Sequence, residues 1–180
     1  LWLLCAGIVA IAVMVWRQNR VKHPFLPSSV LVGVRVQGAN ATQLLVGAAL
    51  IIGMVTIPLM ANTVLGSSAL EGGLYLLRMT LAIAVTALLG GAITQRYGAR
   101  PPAVAGLILV VIGYLAMSRW DSTIADPWLT IHLMVSGSGF GLLIAPITES
   151  ALRQTSEQDW GARASLVTLS RLIGMTLGLA

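Results

Sequence analysis

Six apolar stretches divide this chain, and their length leaves few ways to fold it. They run Leu1–Trp16, Ala41–Met60, Gly73–Thr94, Ala103–Arg119, Trp128–Thr148 and Ala162–Ala180. An α-helix rises about 1.5 Å per residue, so about 20 residues cross a ~30 Å hydrocarbon layer. The second, third and fifth stretches reach that length alone. A lone strand in lipid leaves its backbone groups unpaired, whereas a helix pairs its own. The period-2 alternation of a membrane barrel is absent. The expected fold is all-α, a polytopic membrane helical bundle of about six spans.

Composition points the same way. The chain is 57% hydrophobic and 9% charged, against about 25% charged in a soluble domain. The excess of apolar residues implies lipid as solvent. Cys5 is the single cysteine, so no disulfide or cysteine metal pair can form. No convergent set of His, Cys and carboxylate residues stands out, so neither a catalytic site nor a metal site is expected. The net charge of +5 does not form a basic stripe on a soluble face, which excludes nucleic acid as a partner. The chain opens at Leu1 without Met and stops at Ala180 inside an apolar run, and reads as a piece of a longer protein.

Lys and Arg in the loops set the orientation. The first loop holds Arg17, Arg20, Lys22 and Arg35; the third holds Arg96 and Arg100; the fifth holds Arg153, with Arg163 at its edge. The second loop has none and the fourth only Arg119. Odd loops are therefore expected in the cytoplasm and Leu1 outside, as in a bacterial inner membrane. Trp16, Trp120, Trp128 and Trp160 fall at span ends, as an aromatic belt requires. Pro24 and Pro27 disfavour a continuous helix through the first loop. Alternatively, Val30 to Val36 lies along the membrane surface with Arg35 among the headgroups. Asn40-Ala41-Thr42 matches a glycosylation sequon, on the side where it is irrelevant.

Gly137-Ser138-Gly139-Phe140-Gly141 has the look of a dinucleotide loop, but apolar residues continue on both sides, and that fingerprint needs a strand before it. Gly137 and Gly141, four apart, form a small-residue face for close helix packing, and Gly174 and Gly178 repeat the spacing. Glu149 and Arg153, also four apart, are either a surface helical pair or part of an inner gate. His132 reads as a packed or interfacial residue, with proton coupling as the alternative.

The segment Gly90 to Pro102, between two apolar runs, resembles the signature loop of the major facilitator superfamily: Gly91, Arg96, Gly98 and Arg100 match it, and Gln95 stands where that pattern has Asp. Further stretches are similar to the fourteen-span drug:proton antiporters of that superfamily. They are His23-Pro24-Phe25-Leu26, Leu65 to Leu74, Ser136 to Pro146, and Gly161 to Gly178. The resemblance implies that residues 1–38 hold the eighth of fourteen spans and a connecting loop, and that 39–180 are most of the C-terminal bundle. It implies secondary active transport, exporting small amphipathic or cationic compounds in exchange for protons, with two halves rocking about a midplane site. The partners implied are the bilayer, a small-molecule substrate, protons and the N-terminal half of the polypeptide. No cofactor is implied beyond the proton gradient. Within that scheme Gly91, Gln95, Arg96, Gly98 and Arg100 form a gating loop, whose arginines either latch onto neighbouring helix ends or simply fix topology. Arg78, about 7 Å inside its span, replaces the family's usual proline; it either snorkels or faces the substrate cavity with Arg171. The methionines Met54, Met60, Met79, Met117, Met134 and Met175 either line a tolerant cavity or pack. No Asp or Glu lies deep in a span, so the coupling acid is expected in the absent half. A non-transporting sensor or scaffold of the same fold, and a membrane-embedded enzyme, are the rival readings.

Overall fold

A computed structural model describes residues 13, 17, 34–152 and 160–180 of the chain. Five helices account for nearly all of them: α1 Val34–Thr63, α2 Ala69–Tyr97, α3 Arg100–Met117, α4 Asp126–Leu152 and α5 Trp160–Leu179. The expected first span, Leu1–Trp16, and the prolines of the first loop lie outside the described residues. Val34 to Val36, part of the stretch for which a surface position was an alternative, open α1, which runs unbroken to Thr63. Four helices, α1 to α4, are long and apolar enough to cross a membrane. The chain is thus integral to a membrane and all-helical among the described residues.

The helices overrun the apolar stretches that foretold them, because polar residues complete their end turns. Ser68 and Glu71 form a reciprocal cap on α2: the Ser68 amide donates to Glu71 Oε2 at 2.7 Å, and the Glu71 amide donates to Ser68 Oγ at 3.3 Å. This cap satisfies two of the amides that every helix start leaves open, and it begins α2 at Ala69 rather than Gly73. Ahead of it, Gly66 takes a φ of 62°, open to glycine at no steric cost.

α4 is the axis of the bundle. Half of its span is buried, against 22% for α1 and 17% each for α2 and α3. It lies between α2 and α3, while α5 packs along α1. The Gly-rich run is what lets α4 hold two neighbours at backbone distance. Successive helix positions turn by about 100°, so Gly137 and Gly141 face one way and Gly139 another. A Cβ on Gly137 would meet the Met79 carbonyl oxygen of α2, and one on Gly141 would meet Thr86 Oγ1 and the Ile83 carbonyl. On the other side, a Cβ on Gly139 would lie 2.7 Å from the Gly106 carbonyl oxygen of α3. In lipid, where apolar burial drives nothing between helices, such close van der Waals contact is what holds them. The α1–α5 seam follows the same rule: Cβ atoms on Gly174 and Gly178 would meet the carbonyls of Leu44 and Ala48. Apolar side chains such as Leu81, Val85, Val111 and Leu115 point outward and are more than half exposed, which fits a lipid-facing sheath better than a water-facing surface.

Candidate functional site

The signature segment is mostly helix. α2 continues through Gly91, Gln95 and Arg96 to Tyr97, so the turn itself is only Gly98 and Ala99. Gly90 is buried against α4, where a Cβ would lie 3.1 Å from Leu142 Cα, and that packing holds the Gly90-Gly91 pair in helical form. The turn is locked from inside. Buried Thr94 donates its hydroxyl to the Gly90 carbonyl at 2.6 Å, and the Gly98 amide, at φ 83°, donates to the Thr94 carbonyl at 2.9 Å. Pro101 and Pro102 then start α3, where missing amides cost nothing. Gln95, Arg96 and Arg100 are exposed. Among the described residues, neither arginine side chain makes a hydrogen bond, so the expected latch onto neighbouring carbonyls is not formed in this conformation.

Arg78 neither snorkels alone nor stands free in a cavity. Its Nη1 donates to Asp126 Oδ1 at 2.7 Å and to Thr130 Oγ1, while its guanidinium carbon lies 5.2 Å from the centre of the Tyr75 ring. The pair joins α2 to the first turns of α4, one layer beyond the glycine contacts. It remains open to solvent, with side-chain exposures of 35% and 57%. Arg171 is half-buried on α5, and its backbone carbonyl abuts Gly47 of α1. Arg78 and Arg171 thus sit on helices that belong to different seams. Glu149 is half-buried near the end of α4; its expected partner Arg153 lies outside the described residues.

Three features of the site were missed in the sequence. Arg163, read as a loop-edge cation, is 8% exposed in the first turn of α5 and engaged; its small neighbours Ala162, Ala164 and Ser165 were the available signal. Tyr114 of α3 donates its phenol hydroxyl to the Ala49 carbonyl of α1, in the space that Gly53 leaves empty, with its ring edge-on to Phe140 at 6.0 Å. Trp120 donates its indole N–H to His132 Nδ1 at 3.0 Å and stacks near that ring; Trp128 lies 6.3 Å away on another side. The donor-only indole fixes this ring against the α3–α4 loop, so His132 is packed between two tryptophans. At the same end, Asp121 accepts from the Thr123 hydroxyl and amide, and those bonds hold its carboxyl below the usual 3.8. No cluster of metal-ligating residues forms among the described residues.

Paired membrane helices with glycine seams, and a two-residue turn flanked by Arg96 and Arg100, define a polytopic membrane bundle. Residues 39–180 match the profile of the Major Facilitator Superfamily, and the chain belongs to that family. A triacylglyceride transporter of Mycolicibacterium hassiacum is 32% identical over 97% of this chain and 34% of its own length. Similar proteins with the same description come from Mycobacteroides abscessus, at 30% identity over 97% of this chain and 36% of that protein, and from Mycolicibacterium smegmatis, at 31% over 97% and 33%. The chain therefore spans about a third of the length of these relatives. Membership in a transporter family sets aside the membrane-enzyme reading. These relatives are named for triacylglyceride transport, not for the drug:proton exchange that the resemblance implied.

Proposed function

We propose that the protein containing these spans is a secondary transporter that moves apolar, lipid-like molecules by alternating access. The observation that carries this reading is the match to triacylglyceride transporters along 97% of the chain. The seams add a mechanical basis. α2, α3 and α4 touch at backbone distance and form one slab, while α1 and α5 form a second unit. Fewer contacts join the two, among them the Tyr114 hydroxyl on Ala49 and Pro58 against Gly72. Close-packed seams of this kind suit a bundle that moves as one rigid half against the other half of the polypeptide. In this scheme the Gly91–Arg100 segment gates the cytoplasmic side by forming its latch only in the other conformation, and Arg171 borders the pathway. The protein sits in a bacterial inner membrane with odd loops inside.

The multidrug-antiport reading retains one supporting observation, the ordered likeness of four stretches to the fourteen-span antiporters. Its proton coupling requires an ionisable acid within the membrane. The described acids Glu71, Asp121, Asp126 and Glu149 all lie at helix ends or in loops, so the coupling acid belongs to the rest of the protein.

Reconstituting the full-length protein into vesicles separates the two readings. Transfer of a fluorescent triacylglyceride, with no pH-gradient-driven uptake of a cationic dye, is the expected result. Dye movement that collapses with the proton gradient, without lipid transfer, replaces lipid export with drug antiport. Movement of neither favours the non-transporting scaffold.

A further inference from the structure

At the end of the bundle that carries Arg96 and Arg100, a cavity of about 740 Å³ opens between the start of α1, the α2–α3 turn, the first turns of α3 and the end of α4. That volume is within the range of small-molecule sites. Its wall is mostly apolar, including Ala39, Ala103, Leu107, Pro146 and Ile147, and among the described residues Arg100 is the only charged one on it. Thr42, which also borders it, spends its hydroxyl on the Gly38 carbonyl of its own helix.

The cavity is open at the α3 side. Leu107 is 42% exposed and continues the outward stripe of Val104, Ile108 and Val111 on α3. An apolar stripe on α3 therefore runs to the cavity wall at Leu107. Arg100 lines it, and Arg96 stands next to the lining residue Tyr97 at the end of α2. Both are exposed, and neither has a hydrogen-bond partner among the described residues. Glu149, the acid beside the wall residue Ser150, is already engaged.

We propose that this cavity binds an anionic phospholipid of the leaflet facing the Arg96–Arg100 end. One acyl chain lies against Ala39, Ala103 and Leu107, and the headgroup phosphate sits on Arg100, with Arg96 adding positive charge. A guanidinium reads phosphate through paired charge-assisted hydrogen bonds, and cytoplasmic-side basic pockets between spans suit anionic headgroups. A free anion would leave the apolar wall unused, and a neutral lipid would leave the local charge unbalanced. The bound lipid would fill the gap between α1 and the α3–α4 pair, and so couple leaflet composition to the junction between the two units.

The test uses the full-length protein in phosphatidylcholine vesicles doped with phosphatidylglycerol that carries a photoactivatable acyl chain, followed by peptide mapping. Label is expected on the peptides containing Ala39, Ala103–Leu107 and Pro146–Ile147. The double change Arg96→Gln and Arg100→Gln should lower it about tenfold, the loss expected for a charge-assisted contact. Ala103→Trp should fill the cavity and abolish the label; if that variant misfolds, the arginine pair still decides. Equal labelling by the same photo-group on phosphatidylcholine overturns the anionic headgroup. Competition by inorganic phosphate alone makes this a free-anion site. Label absent from all three peptides in the folded protein overturns the proposal outright and indicates a protein cover.

Discussion

The two ends of this bundle are built differently. The end that carries Ser68, Arg78, Trp120 and Asp126 is cross-tied. A capping box closes α2, an ion pair and a threonine tie α2 to α4, and an indole–imidazole bond ties the α3–α4 loop to α4. At the end that carries Arg96 and Arg100, those two arginines are exposed and make no hydrogen bond among the described residues, beside an open cavity, and Thr94 holds their turn from within, while Glu149, Trp160 and Arg163 at the same end are engaged. Between the ends, the glycine seams join α4 to α2 and α3 along their middle. The contrast teaches that α2, α3 and α4 are pinned at one end and in the middle. At the basic end, the Gly98–Ala99 turn has no side-chain hydrogen bond to another helix among the described residues.

The largest break of that contrast is expected from the seam itself. Gly141→Leu forces a side chain into Thr86 and the Ile83 carbonyl. Overpacking costs about 1–3 kcal/mol, or more where backbone must move. The melting temperature of the detergent-solubilised protein should fall clearly, while Gly73→Ala, at a position with open space, should leave it unchanged. Equal behaviour of the two would show that the seam is not close-packed.

Next comes the indole bond. Trp120→Phe keeps a ring but leaves His132 Nδ1 without its donor, a loss of about 0.5–1.5 kcal/mol that thermal unfolding would read. Arg78→Gln should cost less, about 0.2–1 kcal/mol, because the pair with Asp126 is partly exposed and screened. A double-mutant cycle with Asp126→Asn isolates the pair, and its coupling should shrink in high salt. At the opposite end Arg96→Ala should leave stability within about 0.5 kcal/mol yet slow transport with normal membrane insertion. Unchanged turnover would remove the latch.

The smallest effect is at Asp121. Its carboxyl titrates below 3.8 in the folded chain, so its contribution is present above that value and fades as pH falls through the folded pKa. Stabilities of the wild type and Asp121→Asn should therefore converge in strong acid and separate slightly above pH ~4. A gap that widens on acidification would reverse the sign.

Much of the architecture was legible in the sequence because lipid imposes a simple rule: a span must be apolar and must pair its own backbone. Runs such as Ala41–Met60 and Trp128–Thr148 therefore appear as the middles of α1 and α4. The signature segment was legible as a pattern but not as a shape. Gly90-Gly91 looked like a loop, yet Gly90 packs on Leu142 of a helix some fifty residues away, and that contact keeps it helical. Arg78 was legible as an anomaly but not as a pair, since Asp126 and Thr130 are 48 and 52 residues distant in the chain.

By itself, then, the sequence determined that this chain lives in a membrane, that it is helical, and roughly where each helix lies. Those properties depend on local composition and on the bilayer as solvent. Only the tertiary structure decided which face of α4 meets which neighbour, that Arg78 is paired and Arg100 is not, and that the basic end encloses a cavity. Those depend on where a second helix's backbone and side chains come to rest, and no window along one helix holds that information.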